Sequence, residues 1–288
     1  MQKLLLMIFV LLSPILHASL SYYPENIQSK LNTYSINAID VQSPLEQQKL
    51  REDLFNVLDG IHQVVENSTD LLVTECPTNA NCYAHNGTLS YKEARELMFG
   101  KLFLEKNNQN KYFVKDLYCE KNISELDGAG PLKIPNPNVA NCEHTWPQSK
   151  FNPNMNTNMQ KVDLHHLFPV DNRANSVRSN HLFGEIDFAR ETHENCQVSS
   201  IGIIKGTNTT GFTPPKTHRG NVARAIFYFA VRYKMPIPNE QEVYLKKWDK
   251  EDPVDSDEQK RNDEIFKIQG NRNPFIDFPR LGSILIDL

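Results

Sequence analysis

The chain has 288 residues, of which 39% are hydrophobic and 23% charged. That composition is globular and the length is ample for a buried core, which excludes a wholly disordered or collagen-like chain. Thirty-one Lys and Arg stand against 35 Asp and Glu, a formal charge of −4. A uniformly basic coat for nucleic acid is therefore excluded, while a local basic patch is not.

Residues 1–19 read as a secretory signal peptide: Lys3, an apolar run from Leu4 to Leu16, then the small residues Ala18 and Ser19. The run is too short for a spanning helix and is interrupted by Ser13 and Pro14. The mature protein, one domain over residues 20–288, is expected in the periplasm or outside the cell, without membrane association. The five cysteines, at 76, 82, 119, 142 and 196, fit an oxidising compartment. Cys76 and Cys82 bracket a small loop around Pro77 and form a candidate disulfide; the remaining connectivity is open, and one thiol is left over. No C-x2-C pair is present, which argues against a zinc site.

The spacing of Leu54, Leu58, Ile61 and Val65 predicts an amphipathic helix over 51–65. Ser90 and Glu93 form a capping box that opens a second helix, with Tyr91, Ala94, Met98 and Leu102 on its apolar stripe. Residues 112–118 are aromatic and β-branched, as in a short strand. Residues 128–138 and 201–217 read as loops. Residues 220–233 give the strongest helical pattern, through Val222, Ile226, Phe229 and Tyr233. A shorter helix is expected near 240–248 with Asn239 as its cap, then a loop over 270–274. Trp146 and Trp248 are expected in the core. Helices and short strands alternate without βαβ regularity, so the fold class is α+β.

Charge is uneven along the chain. Between Glu143 and Lys234 eleven basic residues face seven acidic ones, a balance of +4 that leaves −8 elsewhere, and six of the nine histidines lie there. Such a segment suits an anion-binding cleft, or else a solvated basic face.

Within it, Glu143 and His144 place a carboxylate beside an imidazole. Downstream, a strand is expected from Asp163 to Pro169, and Asp171 can cap a short helix carrying Asn175 and Arg178 on one face. Strand, loop, strand and helix would let Glu143, His144, Asn175 and Arg178 converge. Glu143 and Asn175 offer oxygen ligands suited to a hard cation such as Mg2+. Neutral His144 could take a proton from water, and Arg178 could clamp a phosphate through paired hydrogen bonds. These parts suit metal-assisted hydrolysis of a phosphodiester.

The run Glu143-His144-Thr145-Trp146-Pro147, then Asp163 to Pro169, then Asn175 and Arg178, resembles the bacterial endonuclease I family. The resemblance continues through Arg219 to Arg224 and Gln269 to Phe275, covering about residue 90 to the end. It implies a ββα-metal (His-Me finger) core in a mixed, mostly helical domain. It implies His144 as general base, Glu143 and Asn175 as ligands to one Mg2+ (Mn2+ or Ca2+ being alternatives), and cleavage of DNA, with RNA, to 5′-phosphate ends. The implied partners are double- and single-stranded nucleic acid without sequence preference.

There are departures. Some members carry a long cysteine-bearing insertion with an arginine that stabilises the cleaved phosphate. Here only 31 positions separate His144 from Asn175, and no Cys or Arg lies between Thr145 and Gln160. Arg178, then Lys150 or Arg219, are the replacements to consider. His166 stands where some members have Asn, and is expected to bond loop backbone near the site. Arg219 and Arg224 are five apart and so point to different faces, one towards the cleft and one towards solvent.

Two rival classes remain at this level: a phosphoesterase for small substrates, and a non-catalytic DNA-binding protein. A zinc protease is disfavoured because no His-Glu-x-x-His helix exists. A histidine base predicts activity that falls as pH drops through about 8 to 5.

Overall fold

The computed structural model of the protein describes residues 21–37, 43–85 and 87–285, so the expected signal peptide lies outside the described residues. In the described residues the first two long helices are α1 (Glu25–Asn37) and α2 (Pro44–Asp59). The second starts earlier than its apolar stripe suggests, with Pro44 in the first turn where a missing N–H is harmless. It stops at Gly60, so Leu54 and Leu58 are buried on it while Ile61 enters β1 (Ile61–Gln63). That strand pairs antiparallel with β2 (Leu71–Val73) and β3 (Cys82–Tyr83). The Cys76–Cys82 disulfide closes the connection between them, as the spacing suggested.

Helix α3 (Tyr91–Leu97) carries the capping box in full: Glu93 N donates to Ser90 Oγ, and Ser90 N donates to Glu93 Oε2. Its stripe runs on through a π turn, Met98–Leu102. A meander follows, β4 (Leu104–Lys106), β5 (Tyr112–Lys115) and β6 (Asn122–Ser124). The strand expected over 112–118 stops at Lys115 because Asp116 turns the chain, its carboxylate accepting from Tyr118 N and Cys119 N.

Next come β7 (Ala140–His144), α4 (Thr157–Val162), β8 (Leu167–Asp171) and α5 (Asn172–Arg178). Strands β7 and β8 are antiparallel, in register from Ala140↔Asp171 to His144↔Leu167. The expected strand from Asp163 is shifted: Asp163 caps a 3-10 turn, Leu164–His166, and Pro169 lies inside β8 rather than ending it. A two-stranded pair has only edge strands, where a proline costs no ladder bond on its open side.

A second antiparallel region holds β9 (Leu182–Phe183), β10 (Ile186–His193), β11 (Cys196–Ile204) and β12 (Thr210–Thr213), in the order β10-β11-β12-β9 with β9 parallel to β12. Much of the stretch read as a 201–217 loop is thus strand. The cross-strand partners Ile201 and Phe212 are buried on one face and Ile204 on the other, where Gly211 has no side chain because a Cβ there would lie 2.3 Å from Ile204.

Five helices finish the chain: α6 (Arg219–Arg232), α7 (Asn239–Glu251), α8 (Ser256–Gln269), α9 (Pro274–Asp277) and α10 (Leu281–Ile284). Helix α6 is buried on nearly every face and forms the axis of the larger core. Asn239 is the first residue of α7 rather than its cap. Helix α8 escaped the sequence pattern because its buried face is Glu258, Arg261, Asn262 and Gln269, with Ile265 the lone apolar member. Asp255 caps it, and Gly270, at φ +77°, ends it in the left-handed region.

The larger core gathers Trp146, Val170, Ala174 and Trp248 around α6; the smaller packs Ala94, Met98, Val114, Cys142 and Leu167. The β7–β8 pair and α5 lie between them. Both tryptophans are buried, as expected. Cys142, the unpaired cysteine, is buried with its Sγ 3.6 Å from Met98 Sδ. No helix among the described residues is long and apolar enough to cross a membrane.

Candidate active site

Helix α5 is fixed at its start by Asp171, whose Oδ1 accepts from Arg173 N and Ala174 N, as the sequence indicated. Asp171 is itself held: its N–H donates to Asp116 Oδ1 and its carboxylate meets His193 Nε2 at 3.1 Å. The Asp116 turn carries Tyr118, whose carbonyl accepts from Ser199 Oγ and whose neighbour Cys119 is disulfide-bonded to Cys196 on β11. From that anchored position Tyr118 Oη donates to Glu143 Oε1 at 2.8 Å. Burial and the nearby Glu143 push the Tyr118 phenol well up, so it remains a donor.

Arg178 closes on the same carboxylate oxygen from α5, at 3.0 Å. Glu143 is 3% exposed and Arg178 2%. Burial raises the Glu143 carboxyl, against the lowering by Arg178 and Tyr118. Arg178 also donates to the carbonyls of His144, Thr145 and Ser179 and lies over the Phe183 ring. Arg178, expected to clamp a phosphate, has both terminal nitrogens on Glu143 and on backbone carbonyls. Arg178 is a clamp between α5 and β7. Asn175, one turn earlier, is half-buried, and its side chain makes no hydrogen bond among the described residues.

Strand alternation sends His144 away from Glu143. Its ring lies among Tyr91, Phe151 and His166. Nε2 faces the Lys161 carbonyl at 3.0 Å, and only an N–H can do so, which leaves the lone pair on Nδ1. Gln148 Nε2 lies 3.2 Å from that atom, placed to donate to it. Burial first, and then His166, lower the imidazole to about 3. His144 is thus neutral throughout the range where an ordinary histidine titrates, and the expected loss of activity between pH 8 and 5 does not follow from this ring.

His166 binds the Gln160 carbonyl through Nε2 at 2.7 Å, inside the β7–β8 crossover. His165 reaches the Asn271 carbonyl at 3.1 Å. Arg219 is half-buried, donates to Pro214 O and lies over Trp248; it shares no bonded partner with Glu143, His144 or Asn175. Arg224, one member of the pair expected to divide between cleft and solvent, does neither: it is buried and ion-paired with Glu258 and Asp249. Two groups of possible metal-binding side chains recur near α5, one of Cys119, His193 and Cys196 and one of Asp116, Cys119 and Asp171. Both depend on sulfurs already joined in a disulfide, which offer no thiolate.

Sequence reasoning singled out Glu143, His144, Asn175 and Arg178 but passed over Tyr118, Asp116, Gln148 and Lys161. Tyr118, Asp116 and Lys161 act across 17 to 55 positions of chain, which no local pattern marks, and Gln148 lies four positions from His144 in a stretch without helical or strand periodicity.

Residues 80–280 match the family model described as Endonuclease I, and the chain belongs to that family. It is 35% identical over 159 residues to an extracellular ribonuclease of Bacillus subtilis (strain 168), covering 48% of this chain and 51% of that protein. It is 32% identical over 121 residues to a periplasmic deoxyribonuclease of Aeromonas hydrophila, covering 42% of this chain and 49% of that one. An Endonuclease-1 of Buchnera aphidicola subsp. Baizongia pistaciae (strain Bp) is 30% identical over 175 residues, 54% of this chain and 70% of the other. The chain thus spans about half the length of the first two relatives.

Proposed function

We propose that this protein is a metal-dependent endonuclease that hydrolyses phosphodiester bonds of DNA and RNA, without sequence preference, outside the cytoplasm. The observation that carries the reading is the unit β7–β8–α5, with Glu143 and His144 closing the first strand and Asn175 on the helix that follows the second. On this reading the unit is the ββα-metal finger, and membership of the endonuclease I family supports it. Relatives named for ribonuclease and deoxyribonuclease activity support both substrates. Two disulfides support an oxidising location.

The donor chemistry fits a hard cation. Glu143 takes the Tyr118 hydrogen bond and the Arg178 ion pair on Oε1, which leaves Oε2, and the Asn175 side chain makes no hydrogen bond among the described residues. These two would hold one Mg2+, with Mn2+ or Ca2+ as substitutes. When bound, such an ion supplies Lewis-acid stabilisation of charge building on a phosphodiester oxygen. His144 is the base of this reading: the Lys161 carbonyl fixes its tautomer, and Nδ1 accepts the proton of water once Gln148, an exposed side chain, turns aside. Arg178 and Tyr118 hold Glu143 in place. Products with 5′-phosphate ends belong to the same proposal.

The test is plasmid nicking by the mature protein with Mg2+ and with EDTA, beside His144→Ala and Asn175→Ala. Cleavage that chelation and both substitutions reduce by a hundredfold or more is expected. Cleavage by Asn175→Ala at the wild-type rate would remove that ligand, and nicking that ignores ionic strength would remove a phosphate-backbone mode of binding. Failure to cut with Mg2+, Mn2+ or Ca2+ would return the protein to the binding class.

A further inference from the structure

We infer that the cavity beginning one residue after His144 is a nucleotide subsite, which takes one unstacked nucleobase of a nucleic-acid strand and its phosphate at the mouth. The inference rests on the nuclease reading and adds to it a class of substrate conformation: a strand with a base turned out of its stack.

The cavity measures about 390 Å3. That is within the range of small-ligand pockets, about 300–1,000 Å3. Its walls include Trp146, Phe151, Leu182 and Ile226, and its basic side chains are Lys150, Arg178 and His181. No Asp or Glu lines it. Another surface cavity, between Lys101 and Glu264, shows the contrast: there Glu105, Asp257 and Glu264 balance the bases. Beside His144, Arg178 is paired with the buried Glu143, while Lys150 and His181 have no carboxylate partner among the described residues. Burial and the Arg178 charge both press Lys150 and His181 towards their neutral forms. An anion at the mouth relieves that repulsion.

Two polar groups in the wall point to a ligand independently of charge. Thr145 Oγ1 and Arg178 Nε have no hydrogen-bond partner among the described residues, although their side chains belong to residues 1% and 2% exposed. Buried polar atoms are seldom left so. Both residues line this one cavity. A nucleobase edge, which carries donors and acceptors, suits this polar end of the cavity, and its faces meet the apolar wall. Trp146 is braced for this by stacking on Phe229, with ring centroids 5.0 Å apart and planes at 12°. Aromatic platforms hold bases of any sequence because every base has a π face.

The experiment is a titration of uridine 5′-monophosphate and of ribose 5-phosphate into the metal-free protein, followed by calorimetry. The mononucleotide should bind at least tenfold more tightly than the sugar phosphate. Lys150→Ala, an exposed position, should weaken it about tenfold, and Leu182→Trp, which fills the cavity, should abolish it without loss of melting temperature. Equal affinity for the two ligands, or mononucleotide binding unchanged in Lys150→Ala, would overturn the subsite. Plasmid cleavage measured on the same wild-type sample separates the two claims. Cleavage without mononucleotide binding removes the subsite alone, whereas mononucleotide binding without cleavage supports the subsite and removes the nuclease reading.

Discussion

Asp163 shows how much a single side chain can organise here. Its Oδ2 accepts from Tyr228 and Tyr233, each at 2.7 Å, and its Oδ1 from Gln269 and from His165 N. Burial alone would raise this carboxyl, but His85, His165, His166 and the Gln269 amide outweigh it and hold it low. The residue thereby ties the β7–β8 crossover to α6 and to the end of α8. Each buried donor left without a partner costs about 1–3 kcal/mol, so Asp163→Ala should lose roughly 3 kcal/mol or more. Urea unfolding decides it, and an unchanged midpoint would show that the bonds contribute nothing. The sequence displayed Asp163 only as part of a motif. Glu143, His144 and Asn175 were legible as candidates because their type and spacing matched a known pattern. Arg178 was legible as a helix position, yet its partner was not, since helical periodicity says which residues share a face and nothing about what lies opposite.

At the scale of elements, local signals carried and distant ones did not. The Ser90 box and the Asp171 cap were visible because donor and acceptor lie within three residues. Strand β10 was missed because most of its residues are exposed, so no alternation of apolar and polar residues marks it. Helix α8 was missed because ion pairs and amides replace its apolar stripe. The two disulfides differ in the same sense. Cys76–Cys82 spans 6 positions and Cys119–Cys196 spans 77. Loop-closure entropy puts the shorter link at about 2 kcal/mol and the longer at about 4.5 kcal/mol. Replacing Cys119 and Cys196 with Ser should therefore cost about twice the stability lost with Cys76 and Cys82. The longer link also fixes Tyr118, so that variant should lose the proposed nuclease activity before it loses its fold. Equal unfolding midpoints for the two double variants would contradict the entropic account.

Taken as a whole, the molecule stores neutral imidazole. Burial lowers His85, His165 and His166 to about 4 and His218 to about 3. An unfolded histidine binds its proton near pH 6.5, well above those values, so the unfolded chain takes up more protons than the native one between them. Stability from these groups is present above about pH 6.5 and is lost as pH falls towards 4, at up to about 1.4 kcal/mol per pH unit for each ring. The urea midpoint should fall steadily from pH 7 to pH 5.5. A midpoint that rises over that window would mean the rings are protonated in the folded protein. Composition announced none of this: a net charge of −4 says nothing of where the histidines lie.

Cys142 sits one residue before Glu143, and burial pushes its thiol up to about 12. The protein therefore carries an intrinsic clock on the strand that presents its acid and its imidazole. An alkylating reagent can reach this sulfur only while β7 has parted from its surroundings, so the pace of labelling reads how often that strand breathes, with no probe engineered into the chain.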